Sequence, residues 1–484
     1  MNNNYLKTAI LHHTQGNWNK AREIYEHLLK SNPNDYSVLQ NYGPLLAQLR
    51  EYSLAKNIFE KCLKINPKDS LLLYNFGKFF HERKIFDKAI DLYKKSFDLN
   101  SKNDACIYNL GNIYFSLKKF DDAIAYFKKT IEINPSNFLA YNNIGLSLKK
   151  KGHFKEALKF YKKAIDINQN YIEGHINYST LLLSTNNLDE GFKEYEWRKK
   201  SKIFSDYLNY AELKMKSPIW NGEELNEKTI LIFAEQGIGD LIQFSRYLFL
   251  LRDTYKCKVI LRLKQNLSHF FDNTLDIITE GEKIPNHDYH NHLASLPGIF
   301  YKKYKNFPKT VNFITEDKEK NIKWNGILKK YEGPKIGINA TASSATTGDR
   351  IIPLENFKTL TKLKNLNFFV IQKDFHKNEI HKININSNVY YFEKLDKTGK
   401  AFQDTISLIK NLDLIITADT SLGHLSATLG KPTWIVLSFI SDWRWFNQDK
   451  KSVWYDNVTL FKQKKIGDWN EVFNLIEQDL EKKF

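Results

Sequence analysis

Two short stretches of this chain hold residues whose types and spacing could do chemistry. Residues 235–240 read E-Q-G-I-G-D, a glycine-containing turn that ends in a carboxylate. Glycines let a backbone approach a substrate closely, so Gln236, Gly237 and Gly239 form a candidate substrate-binding loop. Asp240 is either a helix cap or a base aimed into a cleft. The turn lacks the third glycine of the dinucleotide fingerprint, so by itself it is a weak signal. Residues 419–424 read D-T-S-L-G-H. There Thr420, Ser421, Leu422 and Gly423 would present free backbone N–H groups at a helix start, which favours an anion such as a diphosphate. The plainer role for Asp419 is an N-cap with no ligand near.

Both stretches need strands and helices to position them. Residues 413–417 and 432–437 are apolar runs of strand type, and between them apolar residues recur at 422, 425 and 429, a helical spacing. Gly430 closes that helix as a C-cap residue would. In such a βαβ unit the helix start points at the carboxyl end of the sheet, where ligands of open α/β sheets bind. Residues 229–234 likewise read as a strand and 241–251 as an amphipathic helix. Further strand-like runs at 258–263, 335–340 and 367–372 alternate with helical patterns, which predicts parallel sheets. A final helix is predicted over 468–483, with apolar residues at 472, 473, 475, 476 and 480.

A chain of 484 residues is too long for one ordinary core, and 42% hydrophobic with 26% charged residues is a globular balance. No apolar run approaches the roughly 18 residues of a membrane span, and the N-terminus shows no signal-peptide pattern. Cys62, Cys106 and Cys257 lie far apart and suit a reducing cytoplasm. The net charge is +17, and residues 1–216 hold 34 Lys and Arg against 23 Asp and Glu. The excess reads as a Lys-rich solvated surface. Without a run of five basic residues no nucleic-acid partner is expected, while peripheral contact with a membrane surface stays open.

The N-terminal part repeats every 34 residues. Ala21, Ala55, Ala89, Ala123 and Ala157 keep that period, as do Asn32, Asn66, Asn100, Asn134 and Asn168. Gly43, Gly77, Gly111 and Gly145 follow it, with Ser179 next, and an aromatic lies four after each alanine. This is the tetratricopeptide pattern: pairs of helices brought close by small residues and stacked into a solenoid with a concave face. The Pro after three of the asparagines, or its substitute, is expected to end the second helix. A sixth, incomplete unit is expected at 191–198. Asn41, Asn75, Asn109, Asn143 and Asn177 are also 34 apart, on the face that lines the groove. Such a ladder of amides can bond the backbone of an extended peptide, and it resembles that of the tetratricopeptide superhelix in O-GlcNAc transferase. The bland alternative is that each Asn caps or bridges within its own unit.

Several motifs follow in order: E-Y-E-W-R (194–198), P-I-W-N-G-E (218–223), A-E-Q-G-I-G-D-L-I-Q-F-S-R-Y (234–247), D-Y-H-N-H-L-A-S-L-P (288–297), D-R (349–350), D-T-S-L-G-H-L-S-A-T-L-G-K-P (419–432) and D-W-R-W (442–445). Together with the repeats they resemble bacterial tetratricopeptide proteins with a C-terminal glycosyltransferase domain similar to family 9, the heptosyltransferases. The resemblance implies an α-solenoid followed by a two-Rossmann-domain (GT-B) fold. The division expected is a solenoid over 1–200, a linker over 201–226, an acceptor-side domain over 227–332 and a nucleotide-sugar domain over 333–484. Carried over by residue, Asp240 matches the family's general base, and Thr420, Ser421, Gly423 and His424 its diphosphate-binding helix start. Asp419 matches an acidic residue near the donor sugar, and Arg350 falls near a basic donor-phosphate contact. Asn339 departs from the pattern, standing where relatives commonly carry an aromatic.

The activity implied is inverting, metal-independent transfer from a nucleotide-diphospho sugar, with no further cofactor, to an acceptor that the Asn ladder suggests is a protein. A non-catalytic scaffold with a degenerate transferase domain, and a transferase for cell-envelope glycans, are the alternatives. His287, His290, His292 and His424 fit no common metal template. Trp443 and Trp445 read as core or cleft-wall residues, with stacking on a ligand as the sharper alternative.

Overall fold

The computed structural model describes residues 2–204, 215–263, 265–271, 275–340, 351–372, 377–384, 386–393, 395–397, 400–446 and 450–484. Arg350 and Asp349 lie outside the described residues. The chain forms two compact units, residues 1–174 and 175–484.

The first unit is five helical hairpins. They are α1 (Asn2–Thr14) with α2 (Trp18–Ser31), α3 (Tyr36–Gln48) with α4 (Tyr52–Ile65), and α5 (Ser70–Glu82) with α6 (Phe86–Leu99). Then come α7 (Asp104–Ser116) with α8 (Phe120–Ile133), and α9 (Phe138–Lys150) with α10 (Phe154–Ile167). The 34-residue period has a steric origin. A Cβ on Gly111 would sit 2.5 Å from the Phe127 ring, and one on Gly145 2.7 Å from that of Tyr161. The corresponding distances are 2.8 Å from Gly77 to Tyr93 and 3.2 Å from Gly43 to Phe59. The first helices of the second to fifth hairpins therefore leave out a side chain where the second helix of the unit inserts an aromatic; in α1 the matching residue is Ala9. Ala21, Ala55, Ala89, Ala123 and Ala157 are fully buried beside these rings.

The second helices end on asparagine rather than on the proline after it. Asn32, Asn66, Asn100, Asn134 and Asn168 are the C-caps of α2, α4, α6, α8 and α10. In every unit the Asn Oδ1 accepts the backbone N–H two residues on, at 3.1–3.3 Å. This local bond turns the chain out of the helix whether or not proline follows, which is why Ser101 and Gln169 serve as well as proline.

The second unit takes in most of a sixth hairpin, α11 (Ile172–Ser184) with α12 (Leu188–Tyr195). There Gly191 lies against Leu183, again for want of room for a Cβ. Two parallel sheets follow. The first has the order β3–β2–β1–β4, from β1 (Thr229–Phe233), β2 (Lys258–Leu263), β3 (Asp276–Thr279) and β4 (Tyr289–His292). The second has the order β10–β9–β8–β5–β6–β7. Its strands are β5 (Lys335–Asn339), β6 (Asn367–Val370), β7 (Val389–Tyr391), β8 (Leu414–Ala418), β9 (Thr433–Leu437) and β10 (Val458–Lys462). The expected class, a helical solenoid followed by parallel α/β layers, is what forms.

β8 and β9 are buried along their whole length, which is why they read as continuous apolar runs. Their residues alternate between two cores: Ile415, Ile435 and Leu437 on one face, Leu414, Ile416, Trp434 and Val436 on the other. The helix expected over 241–251 is two, α13 (Ile238–Phe244) and α14 (Arg246–Tyr255), divided at Ser245, whose hydroxyl bonds back to the Leu241 carbonyl. The last helix covers Asn470–Lys483, with Val472, Phe473, Ile476 and Leu480 buried.

Strand order reverses once in each sheet, between β1 and β4 and between β5 and β8. Such reversal points open a crevice at the carboxyl ends of the strands. The two chemical stretches follow β1 and β8, one at each crevice.

Candidate active site

On the second sheet, β8 delivers Asp419 and Thr420 to the start of α15 (Ser421–Thr428). The cap is Thr420, not Asp419: its backbone is extended, and its hydroxyl oxygen accepts the Leu422 N–H at 3.3 Å. The Gly423 N–H is also taken, by the Thr420 carbonyl at 3.1 Å. Of the four N–H groups expected to face a ligand, those of Leu422 and Gly423 are thus engaged within the turn. Gly423 has a packing role, since a Cβ there would meet Ile435 at 3.0 Å and Thr417 at 3.4 Å. Gly430, at φ +79, follows the helix in the left-handed region, as a Gly beyond a helix end does.

Asn339, at the end of β5, spans the reversal point. Its amide donates to Thr417 Oγ1 at 3.1 Å and to Thr420 Oγ1 at 3.2 Å. The residue that departs from the family pattern therefore orients the capping threonine. Asp419 is buried and accepts the Trp445 indole N–H at 2.7 Å. His424 is buried too, stacked on Trp445 with centroids 4.9 Å apart, and its Nδ1 is hydrogen-bonded to the Tyr455 hydroxyl at 3.0 Å.

On the first sheet, β1 runs into Ala234, Glu235 and Gln236, and α13 begins with Gly237 as its N-cap. Asp240 sits inside the first turn, so it is not the cap. Its Oδ1 accepts the Arg444 Nε–H at 2.6 Å, and a second guanidinium nitrogen approaches the same oxygen. Arg444 also donates to Asp442 Oδ1 at 2.7 Å and to Gln236 Oε1 at 2.9 Å. Burial alone would lower the Arg444 pKa, but Asp240 and Asp442 hold it well above the ordinary arginine value. Gln236 in turn donates to the Tyr195 hydroxyl at 2.8 Å.

The two helix starts touch. Gly239 leaves no room for a side chain: a Cβ there would lie 3.2 Å from His424 Cδ2 and 3.6 Å from Ser421 Cα. Asp240 is thereby held one residue from the helix start that follows β8.

Glu235 lies deeper. It accepts from Arg198 at 3.0 Å and from the Ala294 N–H at 3.3 Å. Burial raises its pKa, opposed by the Arg198 charge. Arg198 also donates to Ser295 Oγ and Glu196, so E-Y-E-W-R is tied to the loop after β1 through Glu235 and to the segment after β4 through Ser295. A cavity of about 560 Å³ opens beside this loop. Ile203, Phe204, Ile238, Leu241, Leu263 and Leu267 line it with apolar surface, and Arg198, Ser201, Glu235, Gln236 and Gly237 line it as well.

Of the four histidines, His287 and His290 lie edge to face with ring centroids 6.5 Å apart. His290 bonds Ser217 through Nδ1, His292 packs between Phe204 and Phe233, and His424 belongs to the helix start. Among the described residues no group of three or more His, Cys, Asp or Glu is placed to hold a metal ion. Trp443 and Trp445 are buried.

In the first unit the ladder asparagines are half-buried. Asn41 bonds the Ser37 carbonyl in its own helix. Asn109 donates to the Tyr74 hydroxyl at 3.3 Å, and Asn143 donates to the Tyr108 hydroxyl at 3.0 Å and to Asn112 at 2.9 Å. These amides bridge neighbouring repeats. Asn75 makes the matching position on α5, and Asn177 lies on α11.

Sequence reasoning missed Arg444, Asn339, Tyr455 and the Arg198–Glu235 pair as site residues. Arg444 and Arg198 sit inside quoted motifs, D-W-R-W and E-Y-E-W-R, so a signal existed. Tyr455 carried none.

Models of the tetratricopeptide repeat match residues 4–35, 36–69, 105–137 and 138–171. The model of glycosyltransferase family 9 (heptosyltransferase) matches residues 299–437. The chain carries tetratricopeptide repeats and a glycosyltransferase family 9 domain. Protein FlbA of Caulobacter vibrioides is 24% identical over 321 residues, 60% of this chain and 52% of that protein. The chain thus spans about half the length of the curated relative it matches. Among solved structures, MamA is 27% identical, covering 34% of this chain and 96% of its own with a TM-score of 0.31. Pseudomonas aeruginosa PilF is 18% identical, covering 44% and 96% with a TM-score of 0.38.

Proposed function

We propose that the chain is an inverting glycosyltransferase of GT-B type. It would move a sugar from a nucleotide-diphospho sugar to a protein acceptor recruited by the tetratricopeptide groove. The observation that carries this reading is the approach of Gly239 to Ser421 and His424. It sets a carboxylate one residue away from a helix start suited to a diphosphate.

In the step proposed, an acceptor oxygen bonds to the anomeric carbon of the sugar. The bond from that carbon to the diphosphate oxygen breaks, and its electron pair leaves with the nucleoside diphosphate. Asp240 takes the acceptor proton as general base. The start of α15 faces the departing negative charge with its dipole. Asp419 and His424 border the donor, and Gln236, Gly237 and Gly239 border the acceptor. No described helix is long and apolar enough to cross a membrane; the cytoplasm is the compartment proposed, on the three widely spaced cysteines.

Asp240→Asn is the test. First, UDP-, GDP- and ADP-sugars are screened for nucleoside diphosphate release with lysate protein as acceptor. Asp240→Asn should keep donor affinity, melt somewhat lower because Arg444 loses a shielded partner, and lose roughly 10²–10⁴-fold in turnover. Turnover near that of the unmodified chain would remove Asp240 from the mechanism.

A further inference from the structure

One four-residue turn reaches both carboxylates of the candidate site. From Asp442–Trp445, Arg444 grips Asp240 on the first-sheet side, and Trp445 gives its indole N–H to Asp419 on the second-sheet side. The turn is fixed from several directions. The Asp442 carboxylate accepts the Arg444 backbone N–H at 3.0 Å, and the Trp454 indole donates to the Arg444 carbonyl. Phe446, directly after it, takes φ +51. An aromatic residue holds that conformation at a cost and only where its surroundings dictate it. Arg444 and Asp240 are largely withdrawn from water, with side chains 13% and 17% exposed. Exposed ion pairs contribute little, but a pair shielded this far interacts strongly.

We propose that Arg444 is a positioning residue for Asp240. It fixes the carboxylate toward the acceptor and keeps it ionised at the pH where the base must accept a proton. This rests on the proposed function, in which Asp240 is the base. Arg444 touches no substrate on this reading; it acts through Asp240. Gln236 shares the same guanidinium, so the acceptor loop and the base are set by one side chain.

Among the described residues, the following charged or titratable groups face Asp240. Arg444 and Asp442 face it from the turn, and His424 adjoins it from α15 through Gly239. Tyr195 from the end of α12 and Tyr455 before β10 lie within electrostatic reach, and Glu235 is on its own loop. Among these, Arg444 is the cation bonded to Asp240, so removing it takes away the charge that favours the carboxylate.

The experiment compares pH–rate profiles for nucleoside diphosphate release, using the donor that the UDP-, GDP- and ADP-sugar panel identifies. Arg444→Gln should move the acid limb of kcat/KM upward by roughly one to three pH units, with rate recovered at high pH. Asp442→Asn leaves Arg444 facing one carboxylate fewer, so its acid limb should move the other way. A merely structural role would lower the rate at every pH without moving the limb. Should Arg444→Gln fail to fold, Asp442→Asn carries the test by its direction. An acid limb unmoved in every folded variant overturns the proposal. If Asp240→Asn remains active, the base itself is wrong; if Asp240→Asn is dead and the limb still does not move, only the role of Arg444 fails.

Discussion

Trp445 gives its indole N–H to Asp419 Oδ1 at 2.7 Å while its ring lies face to face with His424, 12° from parallel. One side chain therefore orients a carboxylate and an imidazole at the same helix start. Trp445→Phe keeps an aromatic face for His424 and removes the donor. A buried acceptor stripped of a donor costs about 1–3 kcal/mol, so the variant should melt several degrees lower. Adding Asp419→Asn, which removes the buried charge, should recover part of that loss in the same melting experiment.

The repeats give a graded steric test. Gly111→Ala sets a methyl 2.5 Å from Phe127, whereas Gly43→Ala sets one 3.2 Å from Phe59. Alanine gains about 1 kcal/mol over glycine in a helix interior, and overpacking costs about 1–3 kcal/mol. The balance should be close to neutral at Gly43 and destabilising at Gly111. Urea denaturation of the two single variants reads the difference, and Phe127→Leu should partly rescue Gly111→Ala.

The tyrosine bridges separate two roles of the ladder. Tyr74→Phe with Tyr108→Phe removes the hydroxyls that Asn109 and Asn143 reach yet leaves every amide in place. Stability should fall by about 0.5–1.5 kcal/mol per lost bond, while capture of a protein partner persists. Asn75→Ala with Asn109→Ala and Asn143→Ala should abolish capture. Equal loss in the two sets would assign the ladder to structure alone.

Stability should also depend on the histidines of β4. Burial, with Lys199 nearby, pushes His292 well below its ordinary value and lowers His290. The folded state thus disfavours the charged imidazole that the unfolded chain accepts near pH 6.5. The folded chain binds fewer protons below that pH, so stability is full above about pH 6.5 and falls as pH drops. Thermal melts at pH 7.5 and 5.5 should show the fall, and His292→Gln should flatten it.

Much of the architecture was legible because it is periodic. Ala157 and Gly145 announced their helices by spacing alone, and 413–417 and 432–437 read as strands because both faces of β8 and β9 are buried. β3, β4, β7 and β10 were not read. They are short or polar: β4 is Tyr289–His292, with two histidines and an asparagine turned into the interior. The site was legible at its two loops, since glycine-bounded turns stand out. Its wiring was not. Arg444 and Asp240 are far apart in sequence, and an ion pair across such a distance leaves no periodic trace. Asp419 as a cap, the plainer of its two readings, gives way to Thr420 because either residue type can cap and only the fold decides which one.

Each glycine–aromatic pair in the solenoid closes within its own repeat, as Gly77 does on Tyr93, and each asparagine turns the chain inside that repeat's own exit. Taking out one whole period would leave every remaining pair and every exit turn intact. The groove is therefore built like a ruler marked in steps of one repeat, and its reach changes by whole steps rather than by residues.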